Sequence, residues 1–229
     1  MKRSLHHAHP WDLTPKEAVA LQRQLAEAVH LTPLAHAPTT VAGLDVSIRG
    51  DRFQTAVVVL SLPDLVVVDR AVHRGEVPFP YIPGLLSFRE VPAILPALER
   101  LTVWPDLLML DGHGLAHPRR FGLACHLGLL LNQPALGVAK SRLTGVFAEP
   151  GPEKGDQQPL YARASDAERL GTVLRTRRQV QPVYVSPGHL ISHEEAVHWT
   201  LACAPRFKIP EPTRQAHRLS KDGEVGQDG

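Results

Sequence analysis

Three strand-like runs, Thr40–Ile48, Phe53–Leu62 and Leu65–Arg74, follow one another with only Arg49-Gly50-Asp51 and Pro63-Asp64 as turn-forming connectors. Connectors this short join only antiparallel neighbours, so the chain must build a β-meander. The middle run contains Val57–Leu60 with no polar alternation, which predicts a strand covered on both faces. A covered meander needs helices, and the sequence supplies them on either side. Thr14-Pro15-Lys16-Glu17 reads as a capping box with proline at the first helical position, followed by Ala18, Leu21, Leu25 and Val29 at helical spacing.

After the meander the period changes. Residues 84–101 read as a helix that Pro92 and Pro96 should bend or segment. Asp106–Asp111 is a short apolar strand, Arg119–Asn132 a leucine-rich helix and Ala135–Lys140 another strand. Three antiparallel strands thus run into β-α-β, the order of an α/β fold. Residues 149–159 read as loop by composition. Leu170–Thr176 and Pro182–Val185 look like further strands, Ser192 with Glu195 opens a helix to about Cys203, and Pro210–Leu219 forms a last helix.

The 229 residues predict a single domain over 13–220, with a flexible tract at 1–12 and a disordered tail at 221–229. A hydrophobic fraction of 43% supports a proper core, and apolar runs such as Ala56–Leu62 fall far short of the ~20 residues of a membrane span. The start of the chain is basic but lacks an apolar signal region, and two separated cysteines suit a reducing compartment. The expected location is the cytoplasm. A net charge of +2 is too mild to establish nucleic-acid binding by itself. His6, His7 and His9 read as a solvated tract rather than a metal site.

Three carboxylates are out of keeping with their surroundings. Asp45 lies inside Val41-Ala42-Gly43-Leu44-Asp45-Val46, Asp111 ends Leu107-Leu108-Met109-Leu110, and Glu90 lies on the helix between them. A carboxylate inside an apolar strand costs several kcal/mol unless it is paired or binds a cation. Two aspartates on neighbouring central strands repel each other, and a hard divalent cation is the usual remedy. Asp111-Gly112-His113-Gly114 through His117-Pro118-Arg119-Arg120 offers donors for phosphate, and its glycines allow close approach to a ligand. Lys140 would lie on the same sheet edge, where open α/β sheets bind ligands. Pro80-Tyr81-Ile82-Pro83-Gly84 is a stiff loop that presents Tyr81 and Ile82 either as a wedge between bases or as a hydrophobic plug. His193 and His198 miss the zinc-protease spacing, and His189 either touches substrate or caps a turn.

Together these segments resemble the endonuclease V (deoxyribonuclease V) family. The resemblance rests on VAGLDV at 41–46, PYIPGLLSFRE at 80–90, DGHG at 111–114 with HPRR at 117–120, GVAK at 137–140, SPGH at 186–189 and PEPTR at 210–214. It spans about residues 10–220. It implies an RNase H-like fold, with a mixed five-stranded central sheet flanked by helices, and hydrolysis of the second phosphodiester bond 3′ of deoxyinosine in DNA. It further implies magnesium as cofactor, with manganese able to substitute, and a monomer that binds no membrane. By position, Asp45 and Asp111 match the family's magnesium ligands and Glu90 its acidic partner, while His217 matches a position held by His or Asp. Tyr81, Ile82 and Pro83 match the wedge loop. Gly84, Gly112 and His117 match the pocket for an extruded base, with Arg119 beside it, and Lys140 a lysine at the scissile phosphate. Inosine-containing RNA as substrate, and a non-catalytic nucleic-acid-binding module, stay open on the residues alone.

Overall fold

The computed structural model describes residues 4–165 and 168–222. The meander forms as β1 (Thr40–Arg49), β2 (Arg52–Ser61) and β3 (Val67–Glu76), each antiparallel to the next. Next come α2 (Leu86–Leu98), β4 (Leu107–Leu110), α3 (Leu123–Leu131) and β5 (Ala135–Ala139), after α1 (Pro15–Ala26) at the start. β4 lies parallel to β1, and β5 parallel to β4.

The sheet does not stop at the five strands expected. β6 (Gln157–Tyr161), β7 (Arg169–Leu174) and β8 (Val183–His189) extend it, giving eight strands in the order β3-β2-β1-β4-β5-β8-β7-β6 among the described residues. β5 has a free side that β8 fills in antiparallel register. β6 falls partly within the stretch expected to be loop. Its Pro159 misleads a reading by composition, yet a proline is tolerated there because β6 is the edge strand.

Alternation along the strands sorts the core into two faces. On one, Ala42, Leu44, Val57, Val59, Leu108 and Leu110 pack against α2 and α3. On the other, Val41, Val58, Leu60, Leu107, Met109 and Val138 pack against α4 (His193–Ala202) and α5 (Glu211–Asp222). Val57–Leu60 are buried on both sides, as their lack of alternation predicts.

α2 is one helix, not a segmented one. Pro92 and Pro96 lie four residues apart on its less buried side, while Val91, Ile94, Ala97 and Leu98 anchor the other side in the core. The lost backbone bonds therefore sit away from the packing that holds the helix. Both capping boxes form, Thr14 with Glu17 and Ser192 with Glu195.

The N-terminal stretch packs rather than standing off in solvent. The His6 amide donates to Leu130 O at 2.7 Å, His9 Nε2 lies 2.8 Å from His126 Nε2, and Trp11 stacks on His126. Most of the expected C-terminal tail lies outside the described residues. Among those described, no helix is long and apolar enough to cross a membrane.

Candidate active site

Strand register brings the two aspartates together. β1 and β4 pair through Leu44 and Leu110, so Asp45 and Asp111 are the next residues on adjacent parallel strands. Both sit on the face that carries α5, because Val41 and Gly43 precede Asp45 in alternation as Leu107 and Met109 precede Asp111.

α5 reaches Asp45 because Gly43 lets it in. A Cβ on Gly43 would lie 1.9 Å from Pro212 O, so only glycine allows the helix backbone to rest directly on β1. Thr213, Ala216 and Ser220 then face inward at helical spacing. His217 Nδ1 lies 3.4 Å from Asp45 Oδ1, and Ser220 Oγ donates to Asp45 Oδ2. Ser220 escapes a reading of the sequence that ends the helix at Leu219; helical spacing of three residues from His217 is the signal that finds it.

Lys140 follows β5 on the same sheet edge, and its Nζ is ion-paired with Asp111 Oδ2. Glu90 comes from the second turn of α2. Burial, then the negative charges of Asp45 and Asp111, push its carboxyl up to about 8, with Arg89 opposing only in part.

The ligand atoms of Asp45, Asp111 and His217 all lie within 4.8 Å of one another. Two carboxylate oxygens and an imidazole nitrogen suit a hard or borderline divalent cation. The residues present fit the metal that the sequence implies.

Beside the carboxylates opens a cavity of about 210 Å³, lined among others by Tyr81–Gly84, Gly112, His113, Phe121 and Ser141. Its wall is organised around one carbonyl. Gly84 O accepts from Gln22 Nε2 at 3.1 Å, His117 Nε2 at 3.1 Å and Arg119 Nη2 at 2.7 Å. His117 Nδ1 accepts the Arg119 amide at 3.1 Å, so its proton sits on Nε2. Burial, helped by the charge of Arg119, keeps this imidazole neutral by lowering it to about 4. Gly84 has φ of +79°, a conformation that side-chain-bearing residues adopt at a cost.

Several residues read as phosphate donors are spoken for. Arg119 and His117 hold Gly84, Arg120 contacts Glu168 at 2.5 and 2.8 Å, and His113 Nε2 meets Ser141 O at 3.1 Å. Gly114 approaches protein, not ligand: a Cβ there would meet Pro187 O of β8 at 2.2 Å. The amide of Ala124 in the first turn of α3 is likewise bonded to His113 O.

Tyr81 is no plug. It is 70% exposed at the mouth of the cavity, with the Arg89 guanidinium 6.0 Å from its ring centre. His189 is buried at the opposite edge of the sheet, where its Nδ1 accepts the His30 amide at 3.3 Å, so it serves the fold.

Comparison with known proteins agrees with this geometry. The sequence model of the Endonuclease V family matches residues 23–218. Endonuclease V of Alkalilimnicola ehrlichii is 52% identical over 225 residues, covering 97% of this chain and 98% of that protein. The crystal structure of Endonuclease V from Streptomyces avermitilis superposes with a TM-score of 0.87 at 42% identity, covering 96% and 97% of the two chains. Endonuclease V of Ciona intestinalis, crystallised with a 24mer DNA containing an inosine followed by a ribo-adenosine, gives a TM-score of 0.78 at 26% identity over 90% of this chain and 96% of that one. The chain belongs to the endonuclease V family, and it is a nuclease.

Proposed function

We propose that this protein is a magnesium-dependent repair endonuclease that recognises deoxyinosine in DNA and hydrolyses the second phosphodiester bond 3′ of it. The observation that carries the reading is the direct continuity of Asp111 with Gly112 and His113. Asp111 stands beside Asp45, and the next two residues line a cavity sized for a small planar group.

Asp45, Asp111, Glu90 and His217 are the residues that would hold the metal, with manganese as a substitute. When bound, it supplies Lewis-acid stabilisation of the charge that grows on the phosphate and on the leaving 3′ oxygen. Ser220 and His217 fix the orientation of Asp45. Lys140 brings a positive charge to the position where a phosphate oxygen would approach Asp111. Glu90 holds a proton at neutral pH until positive charge arrives to release it.

On the recognition side, Tyr81 fills the gap left by a base drawn out of the duplex, carried on the stiff loop with Ile82 and Pro83. Gln22, His117 and Arg119 keep that loop in place through Gly84 O. Backbone amides would read the O6 edge of hypoxanthine, which lacks adenine's amino group.

The test is incubation of matched duplexes, inosine-containing DNA, inosine-containing RNA and undamaged DNA, with protein and magnesium, followed by mapping of the cut. Cutting directly after the 3′ neighbour of deoxyinosine, at the second phosphodiester bond, supports the proposal. Cutting confined to RNA, or equal cutting of undamaged DNA, overturns it.

A further inference from the structure

A second cavity, of about 340 Å³, opens on the far side of Asp45 and is lined by Ser47, Arg49, Arg52, Gln54, Arg74 and Lys221. Pairing register explains how four cations gather there. Asp45, Ser47 and Arg49 alternate onto one face of β1. Ser47 pairs with Gln54 and Arg49 with Arg52 on β2, and Gln54 pairs with Arg74 on β3. Lys221 closes the cavity from the last turn of α5, one residue after Ser220, which holds Asp45. Arg74 Nε donates to Gln54 Oε1 at 2.7 Å, and Arg49 Nη2 donates to Lys221 O at 3.3 Å, so the rim is braced. Glu76 stands opposite Arg52 in this register. A separate cavity formed by β2, β3 and α5 is lined by Arg70 and Arg218 among others.

The placement has a direction. The base cavity is bounded by the loops after β4 and β5 and by the starts of α2 and α3. The cationic cavity lies on the α5 face over β1, β2 and β3. Asp45 and Asp111 stand between the two. A strand whose base enters the first cavity and whose backbone passes the carboxylates must leave toward the second. Because the proposed cut lies 3′ of the extruded base, the departing segment is the strand 3′ of the cut.

We propose that Arg49, Arg52, Arg74 and Lys221 form a phosphate-binding groove that grips the nucleic-acid backbone 3′ of the scissile bond. This rests on the inosine-endonuclease reading for its direction, but its charge chemistry stands on the structure alone. The ligand is the phosphodiester backbone, read without regard to sequence.

The experiment uses the full chain and inosine-containing DNA with either a long 3′ arm or one trimmed to a single nucleotide beyond the cut. In the unaltered protein the long arm should raise kcat/KM about tenfold at low salt, chiefly through KM. In Arg52→Gln/Arg74→Gln that ratio should fall toward one, and the log–log salt slope of binding should drop by roughly 1–2. Trimming the 5′ arm should cost both proteins equally. A check that needs no variant replaces phosphates of the 3′ arm by neutral methylphosphonates, which should weaken binding by the unaltered protein as the variant does. An unchanged length ratio and salt slope in the variant, or indifference to the neutral linkages, would overturn the groove. If the unaltered protein nicks no inosine substrate, the inosine reading fails, and the groove is then judged by the salt slope of DNA binding, where equal slopes refute it.

Discussion

Lys140 Nζ is ion-paired with Asp111, the carboxylate that stands beside Asp45 across two parallel strands. The site therefore sets one cation against two aspartates and a buried glutamate. Asp111→Asn removes a charge without changing shape, so its effect should fall on turnover. Nicking in magnesium should drop at least ~10²-fold, the scale of losing a positioned electrostatic group, while inosine-DNA binding stays close to that of the parent. Nicking within a few-fold of the parent would remove Asp111 from the metal site.

Calcium should support binding of inosine DNA without cleavage. It accepts the same oxygen ligands but at longer distances and in looser geometry than magnesium. Brisk cutting in calcium, with magnesium stripped out by chelation beforehand, would contradict the proposed site. Binding by gel shift and nicking of the same duplex are the paired measurements.

Tyr81→Ala should spare the fold, because the ring is 70% exposed. Its melting temperature should stay within a degree or two of the parent, where truncation of a buried aromatic would cost ~3–5 kcal/mol. Nicking of inosine in a duplex should fall much more than nicking in a single strand, since only the duplex requires bases to be unstacked. Equal losses on both substrates would rule out the wedge.

The protein should lose stability in mild acid. Burial holds the imidazoles of His117 and His189 down at about 4, with Arg119 adding to the effect at His117 and His30 at His189. An unfolded chain binds those protons near pH 6.5. Between the two values the unfolded state carries more protons, so stability falls as pH drops from about 6.5 toward 4 and is complete above that window. Each such histidine contributes up to about 1.4 kcal/mol per pH unit within it. His189→Asn keeps an acceptor for the His30 amide and removes the titration. Its urea midpoint should vary less steeply with pH, by about one proton, and an unaltered slope would refute the assignment.

The pairing of Asp45 with Asp111 was legible because charge inside an apolar strand demands an explanation, and both residues meet that description. The meander was legible because its connectors permit little else. What escaped depends on distant pairing. Nothing local in Arg169–Leu174 or Val183–His189 says that β5 has an open side for them. Pro159 hid an edge strand, and the freedom of Gly114 was credited to a ligand when β8 occupies the space. Ser220 falls just past a helix read as ending at Leu219, whereas α5 runs to Asp222. The cationic groove was invisible for the same reason: Arg49, Arg52 and Arg74 are scattered in sequence and meet only through strand register.

Gly43 has a consequence for the order in which the nuclease comes into being. Because α5 rests directly on β1, Asp45 receives His217 and Ser220 from a segment synthesised some 172 and 175 residues later. During translation, the aspartates can be made and the sheet begun while their last partners are still unwritten. A chain that stops short of α5 thus lacks the two side chains that contact Asp45. Gly43→Ala would reproduce that immature state in a full-length protein, by denying the helix its seat.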